Sequence, residues 1–146
     1  MRMTLQKLAK ILGYAGLIPF FVFSTATWVS LPLAINPHFV LTAYAAVILS
    51  FMGAIHWGIA MTEQSAIANR ELSLSVVPAL LGWLALLMPS LFGYGLLILC
   101  FALLYMADSY TNRQGLLPVW YLPMRMVLTT VVVLCLAVAA LALVVA

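Results

Sequence analysis

The chain has 146 residues, of which 67% are hydrophobic and 6% charged, with a formal net charge of +3. An ordinary soluble domain is about 45–50% apolar and about 25% charged, so a water-soluble globule is excluded. The basic residues are scattered rather than clustered, which argues against nucleic acid as a partner and for charge as a determinant of orientation in a lipid bilayer.

A helix needs about 20 apolar residues to cross a bilayer, and five runs qualify. They are residues 11–33, 39–61, 72–88, 91–107 and 126–146, and they predict an all-α bundle of five transmembrane helices in a single domain, 1–146. The third and fourth runs sit at the lower limit of spanning length. Only Pro89 and Ser90 separate them, so they form a tight antiparallel hairpin. The N-terminal stretch, with Arg2, Lys7 and Lys10 ahead of an apolar run, has the outline of a signal peptide. The run is too long for that role and the cleavage pattern is poor, so a retained signal anchor is expected.

With the N-terminus in the cytoplasm, the cytoplasmic segments carry Arg2, Lys7, Lys10, Arg70, Arg113 and Arg125, which is every Lys and Arg in the chain. The excess of positive charge in cytoplasmic loops therefore gives an N-terminus inside and a periplasmic C-terminus. The expected location is a bacterial inner (plasma) membrane, or the mitochondrial inner membrane in a eukaryote. In the first run, Pro19 invites a kink, and Gly13 and Gly16 permit close helix approach.

The second run repays a helical projection. Ala46, Ser50, Ala54 and Gly58 form a ridge of small residues suited to backbone-to-backbone packing, while Thr42, Ala45, Leu49, Gly53, His56, Ala60 and Glu63 make a second face. The third run carries no ionisable group. At an offset of 50 residues Tyr44, Ile48, Leu49 and Phe51 meet Tyr94, Ile98, Leu99 and Phe101. This weak internal similarity predicts that His56 and Asp108 lie at comparable depth.

An ionisable side chain inside a span needs a partner and is a functional candidate by default. His56 lies about five residues inside the second run, and Asp108 and Arg125 flank the fourth and fifth at the same membrane face. Glu63 stands one or two turns further out. The ordinary alternatives are a packed, neutral His56 and an Asp108–Arg125 ion pair that pins the long loop. Trp57, Trp120 and Tyr121 complete the candidate set, although aromatic residues at this depth also serve simply as an interfacial belt. Cys100 and Cys135 read as small core residues. No cofactor is implied: the chain lacks a metal-ligand cluster, a glycine-rich phosphate loop and a hydrolase triad. Haem between His38 and His56 fails because one helix holds them about 27 Å apart.

Several elements resemble the family called domain of unknown function 3429, or transmembrane protein 69-like. They are Leu12-Gly13-Tyr-Ala-Gly16-Leu-Ile-Pro19-Phe20, Ser50-Phe-Met-Gly53-Ala-Ile-His56-Trp57-Gly58, Pro78 to Trp83, and Leu117-Pro-Val-Trp120-Tyr121-Leu-Pro-Met-Arg125. The resemblance implies a small multi-span protein of bacterial inner membranes or mitochondria and brings no assigned activity.

The leading functional reading is a non-enzymatic membrane protein that binds a partner protein or a lipophilic ligand, a quinone or a lipid. The pocket is expected among the cytoplasmic halves of spans 1, 2, 4 and 5. There His56 and Tyr121 supply hydrogen bonds, Arg125 attracts a negative or carbonyl group, and Trp57 and Trp120 stack. The alternative is a small proton-linked transporter, a homo-oligomer, with His56 and Asp108 as its relay. A membrane enzyme is the third reading.

Overall fold

Residues 4–29, 34–63 and 66–145 are described by a computed structural model. Among them all regular structure is helical, as α1 (Leu5–Ala15), α2 (Ile18–Ala26), α3 (Pro37–Thr62), α4 (Ala66–Leu87), α5 (Ser90–Arg113) and α6 (Tyr121–Val145). Five helices are long and apolar enough to cross a membrane, with α1 and α2 together forming the first. The expected helical bundle is therefore present. Arg2 and the far end of the first apolar run lie outside the described residues.

Three elements run past the limits that hydropathy alone set. α4 begins at Ala66 and α5 continues to Arg113, so Glu71, Asp108 and Thr111 sit inside helices. α6 begins at Tyr121, which places Arg125 one turn within the helix rather than at its start. The cause is common to all three: a polar residue ends a hydropathy window, but it does not end a helix whose polar side chain is bonded inside the bundle.

The first span breaks at Gly16 and Leu17. Pro19 has no N–H for the carbonyl four residues before it. The Tyr44 hydroxyl of α3 donates to the Gly16 carbonyl at 2.8 Å, giving that oxygen a partner at the break. α1 buries none of its residues, whereas α2 anchors through Phe20 and Ser24.

The densest seam joins α3 and α4, and α5 packs against both. A Cβ placed on Gly53 would stand 2.9 Å from the Ser75 carbonyl and 3.0 Å from the Pro78 ring. One on Gly82 would stand 3.2 Å from Ala46, and one on Gly93 2.7 Å from the Ala85 carbonyl. Helices associate this way in lipid, where close van der Waals approach replaces the hydrophobic drive. The face of α3 that packs is Thr42, Ala45, Ala46, Leu49, Gly53 and His56, all buried. The small-residue ridge expected to pack is buried at Ala46 and half-buried at Ser50, whereas Ala54 and Gly58 are exposed and, among the described residues, nothing approaches Gly58. Cys100 and Cys135 are buried in the core.

Candidate functional site: a buried ionic chain beside an apolar cavity

At the end of the bundle that carries the basic residues, four helices contribute to one polar chain. His56 of α3 stands at its centre with no exposed surface. Its Nδ1 lies 2.5 Å from Glu71 Oε2 of α4, and its Nε2 lies 3.0 Å from Asp108 Oδ1 of α5. Asp108 Oδ2 accepts from Arg125 Nε of α6 at 2.7 Å. On the other side, Glu71 Oε1 accepts from the Thr111 hydroxyl at 3.0 Å and from Arg70 Nη2. The Arg70 guanidinium in turn lies over the Tyr110 ring, 4.3 Å from its centroid.

Charges at this depth are tolerated only when paired and hydrogen-bonded, and the chain supplies a partner for every carboxylate oxygen. Helical spacing makes this possible. Glu71 heads a stripe with Ser75, Pro78, Gly82 and Ala85 along α4. Tyr94, Leu97, Phe101, Leu104, Asp108 and Thr111 form the equivalent stripe on α5. Both follow the three- and four-residue steps that keep side chains on one face.

His56, Asp108 and Arg125 thus converge, as comparable depth in neighbouring helices requires. Glu71 is not among the residues expected from the sequence, because hydropathy starts the third run at Leu72, one residue past it, whereas the helix itself starts at Ala66. The signal was available: extending its small-residue stripe one turn toward the N-terminus reaches Glu71. Glu63 instead follows the end of α3 as its cap, outside the ionic chain.

Beside this chain lies a cavity of about 510 Å³ between α1, α2, α3, α5 and α6. These are the spans in which a pocket was expected. Its lining is overwhelmingly apolar, including Gly13, Phe20, Ile48, Phe101 and Leu128. Lining residues such as Leu12 and Phe51 are 63% exposed, so the cavity opens sideways between α1 and α3. One face is different. Tyr121, Arg125 and Thr129 recur every fourth residue along α6, so they form one ladder on the cavity wall. Each is buried, and the Tyr121 hydroxyl, Arg125 Nη2 and Thr129 Oγ1 have no hydrogen-bond partner among the described residues.

Of the aromatic candidates, Trp120 lines the cavity and packs edge-on to Tyr121, with ring centroids 6.3 Å apart. Trp57 does not line it: adjacent to His56 in sequence, it is turned about 100° around the helix and is 46% exposed. Nor does His56 reach the cavity wall; it stands behind Asp108, which holds Arg125.

Residues 5–141 match the profile of the family described as a protein of unknown function, DUF3429. The chain belongs to this family. Among characterised sequences it is 36% identical over 137 residues to transmembrane protein 69 of Xenopus tropicalis, covering 87% of this chain. The alignment covers 51% of the relative, so the chain spans about half the length of the protein it matches. No solved structure matches. The family has no assigned activity, and the five candidate spans agree with the relative's name as a transmembrane protein.

Proposed function

We propose that this membrane protein binds a lipophilic molecule in the cavity beside α6, with an oxygen-bearing head against Arg125 and Tyr121. The carrying observation is the pair of buried, unpartnered donors, Arg125 Nη2 and the Tyr121 hydroxyl, on residues that line an otherwise apolar cavity. An orphaned buried donor is costly, about 1–3 kcal/mol and more when charged, so a site that keeps two side by side suits a ligand that accepts from them. The cavity volume falls in the range of small-molecule sites, about 300–1,000 Å³. The basic residues support a cytoplasmic position for this end, in a bacterial inner membrane, or a matrix position in a mitochondrion.

The test is mass spectrometry of small molecules that co-purify with the full chain from its native membrane, compared with a Gly13→Leu variant. A Cβ at Gly13 meets Leu128 and Met124 at ordinary contact distance, so the larger side chain fills the cavity without touching the ionic chain. A lipophilic compound retained by the parent and lost from the variant is expected. Identical profiles for the two would sink the reading.

Contact between His56 and Asp108 favours proton-linked transport as a second reading. It requires proton flux into proteoliposomes that a His56→Gln substitution abolishes; flux that never exceeds that of empty liposomes removes it.

A further inference from the structure

The ionic chain fixes its own net charge by hydrogen counting. A neutral imidazole has one N–H, and its other nitrogen is an acceptor. A carboxylate oxygen also only accepts. His56 nevertheless approaches a carboxyl oxygen with each of its nitrogens, Glu71 through Nδ1 and Asp108 through Nε2. Each contact needs a hydrogen, so the trio holds one proton beyond those of a neutral ring and two carboxylates. Wherever that proton sits, on the ring or on a carboxyl, Glu71, His56 and Asp108 together carry −1.

Arg70 and Arg125 each add +1, and no other charged side chain pairs with these five among the described residues. The cluster therefore sums to +1. Arg70 is 31% exposed and reaches the bundle's end, where solvent or headgroups meet it. Arg125 is 2% exposed, spends Nε on Asp108, and leaves Nη2 without a partner among the described residues. Arg125 is thus the one cation of the cluster whose side chain belongs to the cavity lining.

From the unpartnered donor of a guanidinium that lines an apolar cavity, and resting on the ligand-binding reading above, we infer that the cavity takes a single-chain amphiphile with an anionic oxygen head, a carboxylate or a phosphate. The head meets Arg125 Nη2 and the Tyr121 hydroxyl, and the alkyl chain lies along Phe20, Phe101 and Leu128. Guanidinium groups suit such heads because they present paired, always-charged donors. Thr129, one turn deeper on α6, meets an in-chain oxygen when the ligand has one.

The experiment uses the full chain in nanodiscs of neutral phosphatidylcholine and measures saturable binding of radiolabelled tetradecanoate. Tetradecyl phosphate should compete with it, tetradecanol at least tenfold less well, and tetradecyltrimethylammonium not at all at the same mole fraction. Acetate and inorganic phosphate, which offer the head without the chain, should not displace it. Tyr121→Phe removes a hydroxyl that has no partner, so it should weaken binding severalfold without lowering the melting temperature. Arg125→Gln should weaken it at least tenfold if that variant folds. Equal competition by tetradecanol overturns the anionic head while leaving a lipophilic site standing. Displacement by acetate or phosphate overturns the amphiphile. Absence of saturable binding, or binding unchanged by Gly13→Leu, overturns this inference and the ligand-binding reading together.

Discussion

Glycine has opposite uses on the two sides of this bundle. At the α3–α4–α5 seam, Gly53, Gly82 and Gly93 stand where a neighbouring helix occupies the space of a side chain. In α1, Gly13 faces a cavity, and a Cβ there would make ordinary contacts at 3.5 Å and beyond. One side is joined by close backbone approach and by ions buried among α3, α4 and α5, whereas α1 buries nothing. The comparison teaches that a stripe of small residues does not by itself reveal whether it seals a helix pair or leaves room for something else.

The ionic chain gives the largest test of that contrast. Replacing Asp108 with Leu strips a partner from His56 and from Arg125 at once. Breaking a buried pair from one side costs about 3–5 kcal/mol. Denaturant unfolding in detergent should show a loss of that size, and a loss below about 1 kcal/mol, the scale of an exposed pair, would mean that the chain does not hold the helices together.

Gly53→Val comes next. Its side chain meets the Ser75 carbonyl and the Pro78 ring, so overpacking of about 1–3 kcal/mol is expected in the same assay. A neutral outcome would show that α3 and α4 part easily, and the two sides of the bundle would then be alike.

The smallest effect belongs to Gly58, on the ridge that proves to be exposed. Among the described residues nothing lies near its Cβ position, so Gly58→Ala should raise stability by up to about 1 kcal/mol through helix propensity alone. Destabilisation there would mean that this face is packed against something.

Much of the fold was legible because its determinants are local. Apolar length located five helices, and projection of α3 put His56 on an inward face with Gly53, Leu49 and Thr42. The convergence of His56, Asp108 and Arg125 followed from their shared depth. Glu71 was missed because charge was used to end a span, although the stripe that continues to Ser75 and Gly82 contains it. Trp57 stands outside the cavity because a residue next to an inward histidine on a helix points elsewhere. The cavity was legible only as a set of helices. Its width depends on how far α1 stands from α3 and α6, a property of the assembled bundle that no single helix face encodes.

The break at Gly16 and Leu17 separates two mechanical duties within one span. α2 is a fixed post, held by Phe20, whose ring meets Tyr44 and Phe101 edge-on. α1 is a separate panel with an unburied surface, joined to that post through a joint at which Tyr44 holds the Gly16 carbonyl. Elements with few buried contacts open at low free-energy cost. Under the proposed ligand-binding function, admission from the bilayer needs only the panel to tilt, while the post and the ionic chain behind it keep their register.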